Sequence, residues 1–170
     1  MPKGPGRVFP WLILSRSRAR DLVRRLTVLE KTVAIAESCS CGLAADLIAR
    51  IPGASRVLWG SFVSYTPEAK LQMLGVGEEC LAQYGAVSRE TACAMAQGAL
   101  ERSGADFAFS ITGLAGPGGD GELPAGTVWI ATAKQGESPE AELFHFRGSR
   151  NQVRKKAAEK ALEQLLKKLQ

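Results

Sequence analysis

The stretch TVAIAESCSCGLAADLIAR, residues 32–50, constrains the architecture most. Its first part, VAIAES, is short, apolar in character and β-branched at alternate positions, as expected of a central strand covered on both faces. The chain then turns at Ser38 and restarts as a helix, CGLAADLIAR, which stops before Ile51-Pro52-Gly53. A strand buried on both sides needs a helical layer above and below it, so helices should alternate with strands in the rest of the chain.

They do. Residues 17–30, SRARDLVRRLTVLE, set Leu22, Leu26 and Leu29 at helical spacing ahead of that strand. A second strand, WGSFVSY (59–65), runs into Thr66-Pro67, an N-cap followed by proline at the first helical position. A helix over residues 88–102 starts at Ser88, with Glu90 in its first turn. DFAFSIT is a third strand and breaks into GLAGPGGDGELPAG, too rich in glycine for regular structure. TVWIATAK and AELFHFRG are the fourth and fifth strands, joined by the turn residues QGESP. A last helix from residue 149 carries Val153, Ala157, Ala161, Leu165 and Leu169 along one face. This order predicts a three-layer α/β/α single domain over residues 17–170, with a mixed, mostly parallel sheet that includes an antiparallel strand pair.

Residues 1–16 form a basic N-terminal extension. Pro10 interrupts its apolar patch, no small-residue cleavage site follows, and arginines continue to Arg25, so it reads as a flexible or loosely docked extension rather than a secretory signal. No stretch is long and apolar enough to span a bilayer, and no membrane partner is expected. Cys39, Cys41, Cys80 and Cys93 suit a reduced, cytoplasmic setting, since a chain of 170 residues can build a core without disulfides. Cys39-x-Cys41 lacks the second ligand pair of a structural zinc site, and no metal or cofactor is expected.

The net charge of +5 suggests nucleic acid until it is divided by position. Residues 1–31 carry eight basic and two acidic side chains, residues 147–170 the same numbers, and the middle six basic against thirteen acidic. Basic residues confined to two terminal segments do not make a polyanion groove; they read as solvated helix faces.

In sheets of this kind ligands collect at the carboxyl ends of strands, here Ser38, Tyr65 and the loop after Thr112. Ser38 faces a helix start, where backbone N–H groups can stabilise an oxyanion; Ser38 or Ser40 could equally serve only as a helix cap. The only histidine, His145, sits within a strand, so lysine is the better candidate for a base. Lys70 lies one turn into the helix opened by Thr66-Pro67, where the helix dipole and burial both favour the neutral amine. Tyr65, at the adjoining strand end, could relay or hold the proton. The spacing is not the Tyr-x3-Lys of hydride-transferring reductases, no G-x-G-x-x-G follows the first strand, and TGLAGPGGDG (112–121) is not a Walker loop. Its glycines allow backbone amides to approach a ligand, with Thr112 supplying a hydroxyl. In FRGSRNQVR (146–154), Arg150 and Arg154 stand one turn apart at a helix start, an arrangement suited to a phosphate monoester.

Together the segments VAIAESCSCGLAADLIARIPGAS, GSFVSYTPEAKLQMLGV, GAVSRETACAMAQGAL, SITGLAGPGG, GTVWIA and FRGSRNQVR resemble, in order, the CinA C-terminal domain family. The stand-alone members of that family are nicotinamide-nucleotide amidohydrolases, and the nucleotide-processing domain that precedes this module in longer members is not expected here. The resemblance implies deamidation of nicotinamide mononucleotide to nicotinate mononucleotide and ammonia, a step of pyridine nucleotide salvage. It implies Ser38 as nucleophile, with Tyr65 and Lys70 completing the catalytic set. Substrate binding falls to Cys39, Ser40, Cys41 and Gly42 after the nucleophile, to Thr112 and Gly113, and to Arg150. The implied partner is a small-molecule pyridine nucleotide, and a homo-oligomer is among the expectations. Two residues depart from the family's A-E-S-C-T-G-G stretch: Ser40 stands for threonine and Cys41 for the first glycine. If that glycine has positive φ or lets substrate approach the backbone, Cys41 adds strain and bulk beside the nucleophile. A catalytically impaired nucleotide-binding module and an amidase for another small amide are the alternatives.

Overall fold

A computed structural model of the protein describes residues 10–170, with side chains described from Ser17 onward. Six helices and five strands follow in the order α1 (Pro10–Leu29), β1 (Val33–Glu37), α2 (Leu43–Ala49), β2 (Leu58–Val63), α3 (Pro67–Leu74), α4 (Glu78–Tyr84), α5 (Arg89–Ser103), β3 (Phe107–Gly113), β4 (Thr127–Lys134), β5 (Glu140–His145) and α6 (Arg150–Lys168). The first helix already begins at Pro10, so residues 10–16, assigned from sequence to the extension, are helical; residues 1–9 lie outside the described residues. Proline suits a first helical position because its missing N–H would have no partner there. The helix α4 and a short 3-10 turn at Ala54–Arg56 are additions to the elements read from sequence.

The sheet has the order β2-β1-β3-β4-β5. Strands β2, β1 and β3 are parallel, and β4 pairs antiparallel with both β3 and β5, so β4 alone runs against the other four. Side chains alternate across a strand. On β1 this sends Val33 and Ile35 to the face covered by α1, α2 and α6, and Ala34 and Ala36 to the face covered by α5. Strand β3 repeats the division, with Phe107, Phe109 and Ile111 on the first face and Ala108 on the second.

The two cores therefore differ in depth. Large side chains hold α1, α2 and α6 off the sheet, whereas the alanines of β1, β3 and β4 meet Ala92, Ala96 and Ala99 of α5. Close packing continues at Gly98, where an added Cβ would lie 1.9 Å from the Leu74 carbonyl oxygen at the end of α3. This approach fixes α3, and with it Lys70, against the second face.

Candidate functional site

At the carboxyl edge of β1 the ladder runs one step beyond the strand. The Ser38 amide donates to the Ile111 carbonyl (2.9 Å) and the Ser64 amide to the Glu37 carbonyl (2.9 Å), which pins Ser38 between the ends of β2 and β3. Alternation then sends Glu37 toward α2 and Ser38 toward α3. On α3, Thr66 caps the helix by accepting from the Ala69 amide (3.2 Å) and Pro67 takes the first turn, while Lys70 and Leu74, four residues apart, form its buried stripe.

Lys70 Nζ lies 3.0 Å from Ser38 Oγ and 3.0 Å from the Ser64 carbonyl oxygen. Its side chain is 1% exposed and has no carboxylate partner, and burial lowers its amine to about 8. A neutral amine here can donate one N–H to the Ser64 carbonyl and accept the Ser38 O–H with its lone pair. Cys39 is no competing nucleophile, because burial raises its thiol to about 11. His145 contacts Thr127 Oγ1 (3.5 Å) on the β4–β5 side of the sheet, away from this pair.

Ser38, Cys39, Tyr65, Lys70, Thr112, Gly113 and Arg150 all line one cleft of about 320 Å³, with the 114–119 loop and Ala86-Val87 completing its walls. Ser40, Cys41 and Gly42 do not line it. A larger hollow of about 480 Å³ lies against β5 and α6, but its polar groups are tied to one another, Lys168 to Glu140 and Gln164 to Glu142. It holds none of the residues singled out for chemistry.

Several roles expected from sequence change in the geometry. Glu37, given no role there, is fully buried and accepts four hydrogen bonds: Oε2 from the Gly42 (2.9 Å) and Ala44 (3.1 Å) amides, Oε1 from the Ala45 amide (3.0 Å) and Ser61 hydroxyl (3.1 Å). The amides at the start of α2 are thus engaged by the protein's own carboxylate and are not free for a ligand. The Thr112 hydroxyl donates to the Ala86 carbonyl (2.6 Å), so its proton is used in joining β3 to the turn before α5. The Tyr65 hydroxyl accepts from Arg150 (2.6 Å) and has no hydrogen bond to Ser38 or Lys70, which places it with the cleft's guanidinium rather than in a proton relay. A second nitrogen of Arg150 donates to the Gly116 carbonyl (2.6 Å).

The two arginines of α6 also part ways. Arg154 turns from the cleft and donates through Nε to the Cys39 carbonyl (3.0 Å), through one terminal nitrogen to the Ser40 carbonyl (3.1 Å) and through the other to Asn151 Oδ1 (3.2 Å). It is therefore not a phosphate ligand alongside Arg150. Cys41 does take a left-handed conformation, φ 50°, before Gly42 at φ 89°, but its side chain is exposed. The helical repeat of Arg150 and Arg154 was a signal for both arginines; nothing local distinguishes their partners.

Among the described residues no group of three or more histidine, cysteine, aspartate or glutamate side chains is placed to hold a metal ion, and no helix is long and apolar enough to cross a membrane. In comparison with known proteins, the chain is 45% identical to a CinA-like protein of Akkermansia muciniphila over 88% of its own length and 36% of the relative's. It is 48% identical to a CinA-like protein of Syntrophomonas wolfei over 82% of its length and 33% of the relative's. The chain thus spans about a third of the length of these curated relatives. Its structure superimposes on that of the competence/damage inducible protein CihA from Agrobacterium tumefaciens with a TM-score of 0.89 at 40% identity, covering 100% of both chains. A competence-damaged protein (CinA) superfamily protein from Escherichia coli gives 0.87 at 34% identity, over 94% of this chain and 92% of that one. The model of the CinA C-terminal domain matches residues 15–169, from within α1 through the end of α6, and the chain belongs to that family.

Proposed function

We propose that the protein is a nicotinamide-nucleotide amidohydrolase, converting nicotinamide mononucleotide to nicotinate mononucleotide and ammonia by Ser-Lys catalysis. The reading is carried by one observation, the 3.0 Å approach of Ser38 Oγ to a buried Lys70 amine lowered to about 8. Neutral Lys70, oriented by the Ser64 carbonyl, accepts the Ser38 proton as Oγ bonds to the carboxamide carbon. The resulting ammonium protonates the amide nitrogen, the C–N bond breaks and ammonia leaves an acyl-enzyme. Water then gives a proton to Lys70 as it attacks the ester carbon, and the proton returns to Ser38 as the C–Oγ bond breaks. Chemistry of this kind needs no metal or cofactor.

Around that pair, Arg150 keeps N–H donors beyond the two it uses, and Tyr65 keeps its own O–H to donate. Both suit the ribose phosphate. Cys41 is exposed and outside the cleft walls, which removes the crowding that would favour an impaired module. Four free cysteines suit work in the cytoplasm.

The test is ammonia release by the purified protein supplied with nicotinamide mononucleotide, with nicotinate mononucleotide formed in equal amount. Ser38→Ala should abolish release and leave thermal unfolding intact. Retention of about a tenth of turnover by that variant would remove Ser38 from the role.

A further inference from the structure

We infer that Arg154 is a positioning residue that aims and polarises the peptide whose Cys39 N–H faces the reacting carbonyl, an inference that rests on the Ser38/Lys70 reading above. Its basis is the uneven hydrogen bonding of the turn after Ser38. The N–H groups of Gly42, Ala44 and Ala45 go to Glu37, and that of Cys41 donates to the Ser38 carbonyl (3.1 Å). Among the described residues, the amides of Cys39 and Ser40 donate to no other residue; the Cys39 amide faces only its own sulfur, and Ser40 is fully buried and outside the cleft. Cys39 lines the cleft, so its amide is the one available to an oxyanion on the carbon that Ser38 attacks.

In a trans peptide the C=O and N–H point in opposite directions, so whatever holds a carbonyl aims the N–H bonded to its carbon. The Ser40 N–H shares its peptide with the Cys39 carbonyl, which accepts from Arg154 Nε (3.0 Å). The Cys39 N–H shares its peptide with the Ser38 carbonyl, which accepts from the Cys41 N–H (3.1 Å). That Cys41 N–H in turn shares its peptide with the Ser40 carbonyl, held by a terminal nitrogen of the same guanidinium (3.1 Å). Cys39 is therefore held by one side chain from both ends, its carbonyl directly and the peptide that carries its N–H through one relay.

The charge adds to the geometry. A cation behind a carbonyl polarises its peptide and makes the N–H a stronger donor, and linked hydrogen bonds reinforce one another. Arg154 is fixed for this task by its third contact, to Asn151 Oδ1 one turn back on α6 (3.2 Å). Its fork matches two successive carbonyls, which a single ammonium group does not.

Arg154→Gln and Arg154→Lys in the intact chain test this by two readouts. The first is ammonia release from nicotinamide mononucleotide. The second is the rate at which phenylmethanesulfonyl fluoride sulfonylates Ser38, followed by mass, with Oγ–S bond formation, fluoride loss and proton transfer to Lys70. In Arg154→Gln, kcat should fall by about tenfold or more, short of the ~10²–10³-fold cost of deleting an oxyanion donor. KM should stay within about twofold and the rise of rate with pH should keep its midpoint, because Arg154 touches neither substrate nor Lys70. Arg154→Lys should lie between, and decides the matter if the glutamine variant does not fold. Wild-type kcat in the variant that folds, or a loss confined to KM, would overturn the inference. A wild type that reacts with the sulfonyl fluoride but releases no ammonia would refute the substrate and leave the sulfonylation rates to judge Arg154: slower labelling in the variant supports it, equal labelling overturns it. A wild type inert to both removes the Ser38/Lys70 reading and this inference together.

Discussion

The end of β1 and the first turn of α3 each bury a charged side chain at the same edge of the sheet, and they treat it in opposite ways. Glu37 is 0% exposed and Lys70 1%, and among the described residues no other charged side chain is buried. Glu37 accepts four hydrogen bonds, three of them from the amides that open α2. Lys70 has two contacts, a hydroxyl and a carbonyl, and no counter-ion. Burial alone does not separate a scaffold charge from a reactive one. The difference lies in how far the protein replaces the water it removed: almost wholly for Glu37, which locks the turn, and only partly for Lys70, whose charged form is disfavoured.

The most severe way to break the contrast is to make Lys70 permanently charged. Lys70→Arg keeps a cation but offers no amine that can lose its proton, so turnover should fall by roughly 10³-fold or more, about as far as in Lys70→Ala. In the wild type the rate should climb with pH along a limb of unit slope and level off near pH 8, where the amine becomes neutral. Near wild-type turnover in the arginine variant would show that the site needs charge rather than proton acceptance.

Stability should separate the same two residues by sign. A shift of the Lys70 amine from 10.5 to about 8 corresponds to on the order of 3 kcal/mol held against the folded state when the amine is charged. Because the folded value lies below the unfolded one, that cost is fully present below pH 8 and fades as pH rises toward 10.5. Lys70→Met should therefore unfold at higher denaturant than wild type at pH 7, and the gain should shrink in alkaline buffer. Glu37→Gln should do the reverse, losing about 3 kcal/mol, because one of its two oxygens becomes an NH₂ that faces two donors. A stabilising Glu37→Gln would mean that the four hydrogen bonds do not hold the turn.

Smaller effects belong to the cleft's outer wall. Arg150→Ala should raise KM for nicotinamide mononucleotide by roughly tenfold and leave the unphosphorylated riboside nearly unchanged, the loss of one charge-assisted phosphate contact. Equal damage with both substrates would assign Arg150 to clamping the Gly116 carbonyl and Tyr65 instead.

What was legible in sequence follows the reach of each signal. The apolar β1 run and the Thr66-Pro67 cap act over a few residues, and both elements lie where those residues put them. Helix α4 buries none of its residues, so no apolar stripe announces it. Strand ends and helix starts nominated Ser38, Tyr65, Lys70, Thr112 and Arg150 one by one, and the family resemblance joined them into one site, since Ser38 and Lys70 are 32 positions apart and neither motif alone implies the other. The roles of Glu37, which was not singled out, and of Arg154, which was read as a phosphate ligand, escaped for a different reason. Their partners are backbone groups, three amides for one and two carbonyls for the other, and backbone groups leave no mark on residue type.

Cys41 tests whether the turn held by those two residues tolerates a side chain where the family resemblance implies glycine. At φ 50° a cysteine bears a steric cost of about 1–2 kcal/mol that glycine avoids. Glycine, however, gives the unfolded chain more freedom, an opposing term of roughly 0.5–1 kcal/mol. Cys41→Gly should therefore gain under about 1 kcal/mol in denaturant unfolding. Turnover should change by less than about twofold, because the thiol is exposed and outside the cleft while Glu37 and Arg154 hold the turn from either side. A severalfold rise in turnover at unchanged stability would show that Cys41 crowds the bound substrate, and would extend the site beyond the walls that Ser38, Lys70 and Arg150 define.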